Sequence, residues 1–319
     1  MNKDFKYDYA SFLPKYPQEV LERCRNIAPE EMEYTNENGY QVKVVKNPTI
    51  MFCMDLFRRI WESDVYDKKF TFVSTNHEQI EYPAIAEMIN RFHVNCRNVH
   101  AFAMDEWADQ DGNVAPHTFG FSLGRTFMEF FYYNIDPELR PPVEQWHTLN
   151  NDNVDHYSDL IDECGDGGAD ILYSATGWPG HVAFIDPDTK EFHADSLEEF
   201  LTLGSRIVTQ NPLTIAENSL FGSVGGADDV WIIPPKAATI GPRDVSHARE
   251  TFERHCIDYG SNGSWQKMIS RLEIYGPVSM NCPASIMRLG KGICYVSESM
   301  AKPFAAWDAD ENGRTIGKI

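Results

Sequence analysis

No run of this 319-residue sequence is apolar for long enough to span a bilayer, and residues 1–20, MNKDFKYDYASFLPKYPQEV, lack the continuous apolar segment of a secretory signal. No membrane partner is expected, and the cytoplasm is the expected compartment. Positive charge is scarce: 28 Lys and Arg face 48 Asp and Glu, a formal net charge of −20. That balance opposes sequence-independent attraction to phosphate backbones, so no nucleic-acid partner is expected either. Cysteine pairing is also missing. Cys24, Cys53, Cys96, Cys164, Cys256, Cys282 and Cys294 are scattered without a C-x-x-C pair or an even framework, and they read as reduced thiols. There is no internal repeat and no low-complexity tract.

What remains is the composition of an ordinary soluble globular protein, 42% hydrophobic and 24% charged. Residues 1–45 are polar and charged, with Pro14, Pro17 and Pro29 interrupting any long helix, and they read as an N-terminal extension packed on the surface. Residues 46–319 read as one α/β domain. Pro48 marks a helix start, with Ile50, Met51, Met54, Phe57, Ile60 and Trp61 at helical spacing. Strands are expected at 70–75, 99–104, 146–149, 170–176, 230–234 and 292–296, and helices at 82–92, 119–133 and 196–203. Strands alternating with helices imply a parallel sheet covered on both faces, with ligands at the carboxyl ends of its strands.

Three segments at such positions carry chemistry. In Ala103-Met104-Asp105-Glu106-Trp107 an apolar strand runs into two adjacent carboxylates, whose pKa values repulsion and unequal burial can drive apart. In the loop from Ala175 to Pro187, Gly177 and Gly180 bracket His181, the side chain that titrates nearest neutrality, with Asp186 in reach as its orienting partner. A protein this acidic must concentrate cations locally to hold an anion, and Arg206 and Lys267 are candidates; Lys267 opens an apparent helix. Taken alone, each segment also fits an ordinary structural role: a helix cap, a buried histidine, a solvated charge.

In their order, however, these segments resemble the glucosamine-6-phosphate deaminase family, which is related to the 6-phosphogluconolactonases. Met104-Asp105-Glu106-Trp107 resembles the family's M-D-E-Y strand end. Gly177-Trp178-Pro179-Gly180-His181-Val182-Ala183-Phe184-Ile185-Asp186-Pro187 resembles its G-x-D-G-H-I-A-F-N-E-P loop. Ser205-Arg206-Ile207, Glu217-Asn218-Ser219, the stretch from Pro235 to Gly241, and Ser264-Trp265-Gln266-Lys267 are similar to its S-R-T-R-I, A-N-S, P-x-x-A-L-T-V-G and S-Q-K-A segments. The likeness runs from about Thr71 to Glu298 and leaves the first 45 residues outside.

The resemblance implies a modified Rossmann-like parallel sheet with helices on both faces. It implies aldose/ketose isomerisation of an amino-sugar phosphate, a small molecule, coupled to loss of ammonia, with no cofactor and no metal ion. A homo-oligomer is left open. Asp105 would move the proton between C2 and C1, with Glu106 beside it. His181, oriented by Asp186, would open the sugar ring. Ser74, Thr75, Asn76, Gly177 and Gly180 would contact substrate, and Arg206 and Lys267 would bind its phosphate.

Two departures from the family pattern bear on activity. Pro179 replaces the acid two positions before the histidine, removing one carboxylate partner of His181. Ser74-Thr75-Asn76-His77-Glu78-Gln79 replaces a glycine-rich T-G-G-T-P cradle, and Glu78 there would repel phosphate. A deaminase, an isomerase with an altered substrate, a lactonase-like hydrolase and a non-catalytic sugar-phosphate-binding protein all remain open. Asp105 and Glu106 favour proton transfer over the hydrolase.

Overall fold

Alternation along the central strands sends successive side chains into two separate cores. Phe70 and Phe72 enter one and Val73 the other; Val99, Ala101 and Ala103 oppose Phe102; Ile171 and Tyr173 oppose Leu172. A sheet buried on both faces in this way needs helices on both. The computed structural model describes residues 7–302 apart from 77, 221–225, 227, 258–263 and 265, together with 304, 307–309 and 315–317.

In chain order the first half runs α1 (Gln18–Asn26), β1 (Tyr34–Thr35), β2 (Tyr40–Val45), α2 (Pro48–Val65), β3 (Phe70–Ser74), α3 (Glu81–Phe92), β4 (Val99–Ala103), β5 (Asp105–Ala108), α4 (Leu123–Phe130) and β6 (Trp146–His147). The second half runs α5 (Tyr157–Cys164), β7 (Ile171–Ser174), α6 (Leu197–Phe200), β8 (Arg206–Thr209), α7 (Pro212–Asn218), β9 (Lys236–Thr239), α8 (Pro242–His247), β10 (Thr251–His255), α9 (Lys267–Tyr275) and β11 (Gly292–Ser297). The main sheet has the order β1-β2-β11-β10-β7-β3-β4-β6, parallel throughout except for β1 against β2 at its edge. A smaller antiparallel sheet, β5-β9-β8, stands beside it. Helices α2, α3 and α4 give Phe52, Leu56, Tyr82, Ile89 and Phe127 to one core; α5, α8 and α9 give Tyr157, Val245 and Ile274 to the other. The architecture is thus the expected Rossmann-like α/β one.

Several local expectations are corrected. Tyr40–Val45, placed in the surface extension, is a strand of the main sheet, with Tyr40 and Val42 buried. Residues 230–234 do not form a strand. Val230–Ile232 is a single 3₁₀ turn that the Asp229 side chain caps, and Trp231 is exposed; the strand begins at Lys236. The helix expected from 119 starts at Leu123, where Ser122 accepts the Arg125 amide at 3.0 Å. Helix α2 begins at Pro48 as read, capped by Asn47. It buries Phe52, Leu56 and Ile60, however, leaving Ile50, Met54 and Trp61 exposed. β10 escaped notice because Glu253, Arg254 and His255 make it look polar, although all three are paired inside the protein. All seven cysteines are free. Among the described residues no helix is long and apolar enough to cross a membrane.

Candidate active site

At the carboxyl ends of β3, β4 and β7 the chain leaves the main sheet, and a cavity of about 320 Å³ opens between the departing segments. Thr75, Glu78, Asp105, Gly177, His181 and Glu217 are among its lining residues. The carboxylate at 105 is there because the chain changes sheets at Met104. The Met104 amide still bonds Ser74 O at 3.1 Å in the main sheet, whereas Asp105 already pairs with Thr239 in the small one. Asn76 Nδ2 clamps Asp105 by donating to its backbone oxygen at 2.6 Å and to Oδ1 at 2.8 Å. Burial, and then the neighbouring Glu106 charge, push Asp105 up to about 7 against the pull of His181 and Asn76.

Glu106 does not share that cavity. Its carboxylate accepts the Ser122 hydroxyl at 2.6 Å and the amides of Leu123 and Gly124 at 2.9 and 2.8 Å, holding the N-terminus of α4. Alternation along β5 sends the two neighbours to opposite faces. Glu106, expected beside Asp105 in the site, is placed behind it, against the N-terminus of α4 and outside the cavity wall.

His181 is buried with a carboxylate facing each ring nitrogen. Nδ1 lies 2.7 Å from Asp186 Oδ1, which also accepts the Thr214 hydroxyl at 2.7 Å, while Asp186 Oδ2 accepts the Asn211 amide at 2.9 Å. With Nδ1 engaged by Asp186, Nε2 is the ring nitrogen left for chemistry. Facing Nε2 at 3.9 Å is Glu217 Oε2, held by the Trp178 amide at 2.7 Å. Burial works against the imidazolium, but Glu217, Asp186 and Asp105 outweigh it and raise His181 to about 8. Burial in turn pushes Glu217 up to about 7, with His181 and the Trp178 amide opposing.

Glu217 is the residue that sequence reasoning missed. A signal existed: Glu217 stands where the family pattern A-N-S has alanine, in the same chain whose Pro179 replaces an acid. The carboxylate absent from the loop reappears on α7, against the same ring.

The loop itself is shaped for this contact. A Cβ at Gly177 would fall on His181 Nε2 and come within 2.6 Å of Glu217 Oε1. Gly180, at φ +88°, packs so closely that a Cβ would meet Cys282 Sγ and Ile269 Cδ1 at 2.9 Å. Ala183 in the cavity wall holds φ +50°, an uncommon conformation of the kind that clusters at functional sites.

The remaining substrate-contact expectations divide. Thr75 lines the cavity. Ser74 is buried beneath it and accepts the Tyr82 hydroxyl at 2.8 Å; Asn76 serves Asp105. Arg206 and Lys267 do not converge on the cavity. The Arg206 guanidinium donates to Gly204 O at 3.0 Å and Glu191 O at 2.5 Å and lies over the Phe192 ring, which turns Nε and Nη1 to the neighbouring backbone. Lys267 is buried in the first turn of α9 and is not in the cavity wall. Residues 77 and 265 of the quoted motifs lie outside the described residues. Among the described residues, the arginine that lines the cavity is Arg254, on β10.

Two groups among the described residues have the spacing to hold a metal ion: His100, His147 and Cys164, and the fully buried Glu253, His255 and Cys294. Neither lines the cavity. In the second, Tyr40 donates to Glu253 Oε1 at 2.6 Å, His255 Nδ1 pairs with Ser270 Oγ at 2.6 Å, and His255 Nε2 lies 3.4 Å from Glu253 Oε2.

No family model matches the chain. A glucosamine-6-phosphate deaminase from Caenorhabditis elegans is 27% identical over 228 residues, covering 69% of this chain and 73% of that protein. In three dimensions the chain is similar to a monomeric glucosamine-6-phosphate deaminase, with TM-score 0.62, 19% identity and coverage of 82% and 98%. It is also similar to a 6-phosphogluconolactonase from Leishmania guyanensis, with TM-score 0.53, 10% identity and coverage of 83% and 98%. At these identities the structural matches speak to the fold.

Proposed function

We propose, from the premise that this chain is related to the glucosamine-6-phosphate deaminases, that it is an enzyme of their isomerase/deaminase type with an altered substrate. Asp105 carries a proton between C2 and C1 of an amino sugar, and His181 opens the ring; water then adds at C2, the C2–N bond breaks, and ammonia leaves as the ketose forms. The observation that supports this reading is one cavity wall holding a carboxylate and an imidazolium that both titrate near neutrality, each fixed by its own partner. Groups poised near the working pH are the effective proton carriers. A lactonase-like hydrolase would need the histidine to activate water but gives no task to a carboxylate raised to about 7 and clamped by Asn76. Deuterium entering C2 of an amino sugar in heavy water, together with ammonia release, is the deciding measurement. No exchange from any amino sugar or its phosphate would remove the proposal.

The activity is expected to follow a narrow bell against pH. It rises as Asp105 loses its proton through about 7 and falls as His181 loses its own through about 8, limits that belong to the coupled set rather than to single residues. A flat profile between pH 6 and 9, on the order of the range these groups span, contradicts the assignment.

Glu217 serves in this reading as the positioning carboxylate for His181. Glu217→Gln removes the largest influence raising the imidazole, so the alkaline limb is expected to move down by roughly one pH unit, with Glu217→Asp restoring part of it. The shift is read from the pH profile, or from the His181 ring protons by NMR. An alkaline limb that stays in place would reduce Glu217 to a structural role.

A further inference from the structure

One end of the cavity is built by Thr75, Glu78, Gln79, Ile80, Glu81 and Arg254. Here the loop after β3 turns into α3, and the arrangement contains most of what a phosphate would require: a hydroxyl, a helix N-terminus and a guanidinium. The hydroxyl and the guanidinium are already engaged. The Thr75 hydroxyl donates to Glu78 Oε1 at 2.5 Å, and Arg254 forms ion pairs with Glu78 and, at 2.8 Å, with Glu81 Oε1. Both the Glu78 and Arg254 side chains are nearly buried, and the guanidinium also lies 4.8 Å over the Phe52 ring. Among the described residues of the lining, Glu78, Glu81, Asp105 and Glu217 face Arg254 and His181. A phosphate dianion entering this end would have to expel Glu78 from a buried pair and leave its charge without compensation.

We propose that Glu78 acts as an internal anion that closes this end of the cavity to phosphate, so that the site takes an unphosphorylated amino sugar. The proposal rests on the reading above for the chemistry at Asp105 and His181, and it names the substrate class of that site. An exocyclic hydroxyl needs only one donor and one acceptor, which Gln79 and the Glu78 and Glu81 carboxylates can supply, whereas a phosphate needs several donors and cationic charge. A protonated amine is favoured in the same acidic cavity.

The test uses the full chain with three probes: inorganic phosphate, glucosamine and glucosamine 6-phosphate. By calorimetry the wild type is expected to bind glucosamine at least about tenfold more tightly than its 6-phosphate and to show no binding of inorganic phosphate. In Glu78→Gln the freed Arg254 and Thr75 are expected to raise affinity for inorganic phosphate by at least about tenfold and to reverse the order of the two sugars. Wild-type preference for the 6-phosphate overturns the proposal, as does a folded Glu78→Gln whose phosphate affinity is unchanged. Should that variant not fold, the wild-type comparison decides alone. Failure of the proton-transfer reading shows separately, as absence of deuterium at C2, and leaves the phosphate result of Glu78→Gln standing.

Discussion

Asp105→Asn is expected to lose at least ~10²-fold in turnover while the folded protein becomes more stable above neutral pH. Asn can still accept the Asn76 amide, so the clamp at 2.8 Å survives, but it cannot take a proton. The stability gain follows from the same burial that tunes the base. Below the ordinary carboxylate range Asp105 is neutral whether folded or not, and the substitution changes little. Between about 4 and about 7 the unfolded chain ionises while the folded one holds its proton, so the wild type loses stability as pH rises. Above about 7 the cost is fully developed, on the order of 2–4 kcal/mol, and the Asn variant escapes it. Denaturant melts at pH 4 and pH 8 with turnover measured alongside give the test. A variant of full activity, or one equally destabilised at both pH values, removes Asp105 from its assigned place.

Gly177→Ala is expected to be as damaging to activity, by a different route. Gly177 has no positive φ, so alanine is allowed by its backbone, and the difficulty is only where the methyl group lands. It would occupy the space between His181 Nε2 and the Glu217 carboxylate, the position from which ring opening is proposed to work. A displacement of about 1 Å there is expected to cost ~10²-fold in turnover, with a stability loss of roughly 1–3 kcal/mol from overpacking. Gly180→Ala provides the contrast. Its φ of +88° and the contacts with Cys282 and Ile269 put the penalty on folding, so melting temperature should fall first. Gly177→Ala with ordinary turnover and a normal alkaline limb would mean that Nε2 does not work from this face.

The apolar periodicity of the central strands and the motif order around Asp105 and His181 were legible because both are local. A strand buried on two faces writes continuous apolar residues into the chain, and a Gly-bracketed histidine after such a strand marks a loop at the sheet's carboxyl edge. The polar strand β10 was not legible, since the pairing that lets Glu253 and Arg254 leave solvent comes from Tyr40, Glu78 and Glu81, more than 170 residues away in the chain.

By itself, then, the sequence determined the α/β architecture, the lack of a membrane-spanning helix among the described residues, and the presence of an acid and a histidine after the carboxyl ends of two strands, β4 and β7, which flank β3. Only the tertiary structure decided which way each charge points. Glu106 follows Asp105 directly yet is turned by strand alternation to cap α4, and Arg206 donates to backbone carbonyls of its own neighbourhood. Glu217 and Glu78, from a helix and a loop remote from the central motif, supply the carboxylates beside His181 and Arg254. The physical reason is that a charge acts over a few ångströms of low-dielectric space, and which residues share that space is set by packing between distant segments.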